Sequence, residues 1–379
     1  MKPTRRTRLP RLAPLGALLL GTSIGPACAG SIDATGRTPT TEFSAPFSSY
    51  ASPQALAMFR RVLDDGRRSP PLGGPVEASR AFNDKINTDR VERMKRLYPV
   101  KIADRKFGGV ATQVVTPAQG IAPAQQHRVL INLHGGGFLW GAGSGGLVEA
   151  IPIASVGRIE VVTVDYRQGP EHVFPAASED VAKVYKALLE RYPAKNIGIY
   201  GCSAGGVLTG EAVAWLLTKK LPVPGAIGTF CGSIVELGGD STFFAPPLNG
   251  EPVPKAPLTL ADLPYFKGAR SDDPLVFPAN SPELLRKFPP TLLITGTRDF
   301  TMSSVIHSQR LLTGAGVDAE LQVWDGMWHS FFSDPEMPES KQAYAAIVTF
   351  FDRHLGRELS ELADTGRSDA KRITVRDPP

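Results

Sequence analysis

The chain has 379 residues, 42% of them hydrophobic, which is enough for one large α/β domain with a lid or for two domains. Its formal net charge is +5, a value that would favour a nucleic-acid partner if the charge were spread evenly. Five of the basic residues fall within residues 1–29, which contain no acid, and the remaining basic and acidic residues balance at 37 each. We therefore expect no nucleic-acid partner.

Residues 1–29 have the pattern of an export signal. A basic segment containing Arg5-Arg6 is followed by the apolar residues 12–24 and by the small-residue site Ala27-Cys28-Ala29. The apolar run is shorter than the length that a membrane-spanning helix usually needs. An uncleaved membrane anchor and lipid attachment at Cys28 stay open as alternatives. We expect a periplasmic or secreted protein, cleaved near Ala29 after export by the Sec or the twin-arginine route.

Two helical segments come before any strand. Residues 30–48, rich in Ser, Thr, Pro and Gly, predict a linker. Apolar residues then recur at helical spacing over residues 53–66 and 76–98, with charged residues on the other faces. Because these helices precede the sheet, we expect residues 49–99 to form part of a cap packed across it.

Short apolar runs that alternate with helical segments predict the sheet. Residues 100–115 indicate a hairpin around Gly108-Gly109, and continuous apolar runs indicate strands that are covered on both faces. This alternation predicts an α/β fold over residues 100–356: a mostly parallel, eight-stranded sheet with helices on both faces. The other strands are expected at 129–133, 160–164, 196–200, 226–230, 291–295 and 320–324, and the helices at 178–192, 206–217, 304–314 and 341–355.

Two segments depart from the alternation. Residues 238–286 carry many prolines and several aromatic residues, and an insertion of this length is more often functional than idle. We expect this insertion to be a second part of the cap. Residues 357–379 are charged and end in proline, a composition that is typical of a disordered tail.

The segment Gly201-Cys202-Ser203-Ala204-Gly205 lies between a predicted strand and a predicted helix. In this context G-x-S-x-G predicts a nucleophile elbow, in which a sharp turn lifts the serine hydroxyl out of the sheet. The pattern alone is weak evidence, because Gly21-Thr22-Ser23-Ile24-Gly25 also matches it. Only Ser203 has a strand before it and a helix after it, so Ser203 is the candidate nucleophile.

Acyl transfer also needs a base, an acid that orients the base, and N–H donors for the oxyanion. His329 follows the last predicted strand and Asp299 follows the strand before it, and the order Ser203, Asp299, His329 is the one expected for α/β-hydrolases. The glycine loop His134-Gly135-Gly136-Gly137 follows the third strand and can present N–H groups to a pocket. We expect a structural hydrogen-bonding role for His134, a position at the wrong end of the sheet for His127, and surface positions for His307 and His354.

These motifs resemble the hormone-sensitive lipase family of α/β-hydrolases, which includes many bacterial carboxylesterases. The resemblance runs from about residue 128 to 354 and includes the glycine loop, the elbow, Asp165-Tyr166-Arg167 and the contexts of Asp299 and His329. It implies oxyanion donors at Gly136, Gly137 and Ala204, a cap that includes the N-terminal helices, and small acyl esters as substrates. Two positions depart from the family: Cys202 stands where an acid is usual, and Gln168-Gly169 where Leu-Ala is usual.

We therefore expect a serine carboxylesterase that hydrolyses small-to-medium acyl esters without a cofactor or a metal. An amidase, a lactonase or an exopeptidase would use the same machinery, and a homodimer stays open. Two remoter alternatives are a non-catalytic ligand-binding protein and a nicotinamide-dinucleotide binder. The second rests on the G-x-G-x-x-G match at residues 141–146 with Asp165 after the next strand, but residues 134–140 separate those glycines from their strand.

Two of the three cysteines, Cys202 and Cys231, follow predicted neighbouring strands. In an oxidising compartment they can pair if their Cα atoms are close enough. The alternative is two buried thiols, and the sequence leaves both readings open.

Overall fold

The computed structural model describes residues 45–357, except residues 72, 73 and 257. The export signal, most of the linker and nearly all of the predicted tail lie outside the described residues, so those assignments stay predictions. None of the helices described is both long enough and apolar enough to cross a membrane.

The predicted eight-stranded sheet is confirmed, with the strand order β1-β2-β4-β3-β5-β6-β7-β8. β1 and β2 form the expected antiparallel hairpin, β2 pairs antiparallel with β4, and all other neighbours are parallel. The parallel strands therefore point their carboxyl ends to one edge, where ligand sites of open α/β sheets lie. The strands are β1 (Val100–Phe107), β2 (Val110–Pro117), β3 (Val129–Leu133), β4 (Glu160–Val164), β5 (Ile197–Cys202), β6 (Ala226–Phe230), β7 (Thr291–Arg298) and β8 (Ala319–Trp328).

The predicted helices are also found, with ends shifted by no more than three residues. The short helices α6 and α7 were not predicted, and neither was the longer α3. Its sequence contains Gly145, Gly146 and Pro152, which disfavour a helix, and it is buried on nearly every side, so it shows no amphipathic period. The described helices are α1 (Pro53–Arg68), α2 (Val76–Leu97), α3 (Ser144–Gly157), α4 (Ala176–Leu189), α5 (Ala204–Thr218), α6 (Ser241–Leu248), α7 (Pro282–Leu285), α8 (Met302–Gly314) and α9 (Pro338–His354).

Two apolar clusters lie on opposite faces of the sheet, because successive strand residues point to opposite sides. Ile131 and Leu133 of β3 belong to the cluster that includes α4, α5 and α8. Leu130, between them in sequence, belongs to the cluster that includes α3 and α9. The N-terminal helices α1 and α2 join this second cluster through buried residues such as Phe59 and Met94.

Helix α2 is fixed to the segment that follows β8 by a group of ion pairs. The buried Asp334 carboxylate lies 3.2 Å from Arg90 and 2.8 Å from Arg93, and Arg93 also lies 2.7 Å from Glu336. Burial alone would raise the pKa of Asp334, but the two guanidinium groups more than offset that effect and lower it. The pair geometry therefore holds α2 beside the carboxyl edge of the sheet.

Glu211 of α5 is fully buried, and its single partner among the described residues is a weak one, the Ser178 hydroxyl at 3.4 Å. Burial raises its pKa well above the ordinary value of 4.5, so the folded protein keeps the group neutral. The unfolded chain ionises the same group above that value. The contribution of Glu211 to the free energy of unfolding is therefore fully present below pH 4.5 and is lost as pH rises. The loss is about 1.4 kcal/mol for each pH unit over which only the unfolded chain is ionised.

We expect Glu211→Gln to reduce this pH dependence, since the amide cannot ionise. The free energy of unfolding, measured by urea titration at pH 5 and pH 8, should fall less with pH in the variant than in the unchanged protein. An identical slope in both proteins would contradict the neutral state of Glu211.

Candidate active site

Ser203 is the only residue between β5 and α5, and its backbone has the strained values φ +57° and ψ −122°. Such a tight turn brings the strand and the helix against β3. A Cβ atom on Gly205 would lie 1.7 Å from the Leu133 carbonyl oxygen, and one on Gly201 would lie 2.2 Å from the same atom. Both glycines are therefore required, and together they place the Ser203 hydroxyl at the N-terminus of α5.

We expect Gly205→Ala to destabilise the protein by about 3 kcal/mol or more, because the added methyl group meets rigid backbone. Gly66→Ala is the matched control, since a Cβ on this helical glycine has no neighbour within 4 Å, and it should change stability by no more than about 1 kcal/mol. Thermal unfolding of both variants tests the expectation. Equal stability of the two variants would contradict the close approach at the elbow.

The three side chains predicted from the sequence lie in one hydrogen-bonded chain. His329 Nε2 is 2.8 Å from Ser203 Oγ, and His329 Nδ1 is 2.8 Å from Asp299 Oδ1. The backbone accounts for this meeting: Arg298 and Trp328 are paired across β7 and β8, so the next residues, Asp299 and His329, leave the sheet side by side.

Asp299 is fully buried and its oxygens are well provided with donors. Oδ1 also accepts from the Thr301 N–H at 2.9 Å, and Oδ2 accepts from the Thr295 hydroxyl at 3.0 Å. Burial would raise the pKa of Asp299, but His329 and the Thr301 N–H together lower it. An ionised Asp299 fixes the Nδ1–H tautomer of His329, which leaves Nε2 free to accept the Ser203 proton.

The backbone N–H groups of Gly136, Gly137 and Ala204 have no hydrogen-bond partner among the described residues, and all three residues line the same cavity as Ser203. Gly136 and Gly137 have φ values of +113° and +59°, a backbone form that favours glycine. Ala204 is the first residue of α5, where helical N–H groups lack partners. The three predicted oxyanion donors are thus available to a ligand.

His134 supports the glycine loop. Its Nδ1 lies 2.8 Å from the Gly135 carbonyl oxygen, and its ring stacks on Tyr166 with centroids 4.3 Å apart. The Tyr166 hydroxyl donates to the His134 carbonyl at 2.6 Å. Burial lowers the pKa of His134, so the ring is neutral. The structure shows no hydrogen bond between this imidazole and the Ser203 hydroxyl, both of which lie in the described part of the chain.

The glycines that match a dinucleotide fingerprint begin α3. Asp165, the acid of that match, accepts the Gly143 N–H at 2.7 Å and so caps the turn before the helix. Because its Oδ1 already accepts a hydrogen bond inside the protein, Asp165 stabilises the loop, and this weakens the dinucleotide-binding alternative.

The predicted surface position of His354 was wrong. His354 lies on α9 as expected, but it is 3% exposed and packs on Phe350, with ring centroids 4.5 Å apart.

Sequence reasoning missed Glu149, because it lies on the unpredicted helix α3. Its Oε1 accepts the Gly135 N–H at 2.8 Å, and its Oε2 accepts from Asn132 Nδ2 at 2.9 Å and from the Cys202 N–H at 3.2 Å. Burial raises the pKa of Glu149 to about 8, although these three donors favour the ionised form. A helix predicted after the glycine loop would have indicated that Glu149 can face the loop.

Both cysteines of the described chain are free, buried thiols. Cys202 Sγ lies 2.9 Å from the Ser330 hydroxyl, and burial raises the pKa of both thiols. Cys202 is therefore a neutral packing residue in the elbow. Side-chain atoms of Cys231, Asp299 and His329 that could each bind a metal ion lie within 4.8 Å of one another, a proximity that sequence spacing does not reveal.

A cavity of about 410 Å³ opens beside Ser203 and His329. Both segments expected to form the cap contribute to it. Asn83, Asn87 and Arg90 of α2 give the cavity a polar wall, and other lining residues give it an apolar wall. The residues of the apolar wall are Val207, Leu237, Leu258, Leu260, Leu263 and Phe300.

Residues 130–333, more than half of the chain, match the family model described as alpha/beta hydrolase fold. The chain belongs to the α/β-hydrolase fold family. Among characterised α/β-hydrolases, an acetyl-hydrolase of Streptomyces hygroscopicus is 27% identical over 263 residues, which are 66% of this chain and 85% of the relative. An esterase of Acinetobacter venetianus is 25% identical over 272 residues, which are 69% and 86% of the two chains.

Solved structures of α/β-hydrolases give the same result. The crystal structure of one esterase is 29% identical, with a TM-score of 0.73, and the alignment covers 84% of this chain and 98% of that chain. An esterase of the bacterial hormone-sensitive lipase family is 25% identical, with a TM-score of 0.70 over 80% and 99% of the two chains. The resemblance to the hormone-sensitive lipase family inferred from the motifs is confirmed.

Proposed function

We propose that this α/β-hydrolase is a serine carboxylesterase that hydrolyses small-to-medium acyl esters. The observation that carries the proposal is the chain of two 2.8 Å contacts that joins Ser203, His329 and Asp299 beside a cavity that Ser203 and His329 line. The esterases and the acetyl-hydrolase to which the chain is similar support the same reaction class.

In the first step, Ser203 Oγ forms a bond to the ester carbonyl carbon as its proton passes to His329 Nε2. The carbonyl electron pair moves to the oxygen, and the N–H groups of Gly136, Gly137 and Ala204 stabilise that oxyanion. Asp299 stabilises the imidazolium that forms. The carbon–alkoxide bond then breaks, and the leaving alcohol takes the proton from His329.

In the second step, His329 accepts a proton from water as the water oxygen forms a bond to the acyl carbon. The bond to Ser203 Oγ breaks, Oγ regains the proton from His329, and the carboxylic acid leaves. One imidazole thus serves as base and acid in turn, which requires only that Nε2 stay within reach of the Ser203 oxygen.

The cavity supports the proposed substrate size. Its volume of about 410 Å³ lies near the lower end of the range for small-molecule sites, and its apolar wall suits an acyl chain.

We expect Ser203→Ala to lose ester turnover by at least about 10³-fold, because the nucleophile is gone while the oxyanion donors remain. Turnover of a short-chain nitrophenyl ester and labelling by a fluorophosphonate probe are the measurements. Cys202→Ala is the control for the neighbouring nucleophile. This variant should still be labelled, because the Cys202 thiol that it removes faces Ser330. Full turnover in Ser203→Ala would refute the assignment.

We expect turnover to decline once the acyl chain outgrows the cavity. A series of nitrophenyl esters of rising chain length, with an anilide and a lactone as comparisons, measures kcat/KM for each class. A higher kcat/KM for the anilide or the lactone than for every ester would replace the carboxylesterase proposal with an amidase or a lactonase. Equal rates for short and very long chains would show that the cavity does not limit the acyl group.

A further inference from the structure

The Glu149 carboxyl group lies where the glycine loop meets the elbow. Its two oxygens accept from three groups on separate segments: the Gly135 N–H in the loop, the Cys202 N–H at the end of β5, and the Asn132 side chain on β3. Asn132 is itself held, because its Oδ1 accepts from the Thr163 hydroxyl of β4 at 2.9 Å. A single side chain of α3 therefore joins the loop to the elbow.

The groups that Glu149 holds are next to the oxyanion donors in sequence. Gly135 precedes Gly136 directly, and Cys202 is two residues before Ala204. The loop and the elbow also touch: a Cβ on Gly135 would lie 2.9 Å from the Cys202 carbonyl oxygen and 3.3 Å from the Ser203 Cβ. Because this approach leaves no room for a side chain at residue 135, the group that holds the loop at this point comes from another element, helix α3.

We propose that Glu149 is a positioning residue that sets the separation between the glycine loop and the elbow, so that the N–H groups of both converge on one oxyanion. This inference rests on the proposed esterase function. Donors aimed at an oxyanion must be held to within about 0.5 Å, and they act only if they are fixed before the reaction. Among the described residues Glu149 has no hydrogen bond to Ser203, His329 or Asp299, so we infer that it acts through the segments that it holds.

The substitution Glu149→Gln isolates this role. Glutamine has nearly the same shape, but its NH₂ group cannot accept a hydrogen bond, so at least one of the three donors faces another donor. Misplacement of reacting groups by about 1 Å can cost on the order of 10²-fold in rate. We expect kcat to fall about 10- to 100-fold with KM changed by less than about threefold, because the oxyanion forms only in the transition state.

Glu211→Gln is the matched control. It removes a second buried carboxyl group of raised pKa, but one that contacts Ser178 between α4 and α5 instead of the loop. Its kcat should equal that of the unchanged protein. Glu149→Asp is the second variant: it keeps the carboxyl group, but its shorter side chain cannot reach the loop and the elbow together, so its kcat should also fall.

The test measures kcat and KM for a nitrophenyl ester, together with the inhibition constant of a trifluoromethyl ketone, whose adduct with Ser203 carries an oxyanion. In both Glu149 variants the inhibition constant should rise by the same factor by which kcat/KM falls. A lower unfolding temperature with unchanged kcat and unchanged ketone affinity would overturn the proposal, since Glu149 would then be structural only. If the unchanged protein hydrolyses no ester, both this inference and the proposed function fail. If it hydrolyses esters and the Glu149 variants match it in kcat and in ketone affinity, the positioning role alone fails.

Discussion

A one-residue turn between β5 and α5 is the constraint on which the rest of the site depends. The Ser203 backbone is held at φ +57° only because Gly201 and Gly205 let the strand and the helix close onto the Leu133 carbonyl. The turn fixes the hydroxyl and the first N–H groups of α5 in the same step. Every other part of the site has to be brought to this point by the sheet.

The register of the sheet brings two of those parts. Arg298 and Trp328 are paired across neighbouring strands, so the residues that follow them leave the sheet together. Strand pairing thus brings Asp299 and His329, which are distant in sequence, within hydrogen-bond distance. The same edge contains two shielded carboxyl groups with opposite behaviour. The pKa of Asp299 is lowered because a basic imidazole lies beside it, whereas neutral donors do not compensate for the burial of Glu149 and its pKa is raised to about 8.

Much of the fold followed from the sequence, because parallel strands covered on both faces must be continuous apolar runs, and β3, β4 and β6 were found with their expected bounds. The order of Ser203, Asp299 and His329 followed from where strands end. Helix α3 did not, because a helix buried all round loses its period and tolerates Gly145 and Pro152.

Other misses share one cause: a side chain's surroundings depend on packing that local sequence does not contain. The burial of His354 against Phe350 is set by how α9 lies on the sheet. In the same way, no spacing rule relates Glu149 to Gly135 and Cys202, since their contacts depend on where the unpredicted α3 crosses two strand ends.

Part of the cavity lining belongs to a different structural layer from the reactive groups. The reactive groups directly follow β5, β7 and β8, whereas another part of the lining comes from α2 and from the segment around Leu258, Leu260 and Leu263. Because these outer segments carry none of the strand pairing, their side chains are free to diversify without loss of the reactive geometry. New selectivity can therefore evolve, or be engineered, in this outer layer while the sheet edge stays constant.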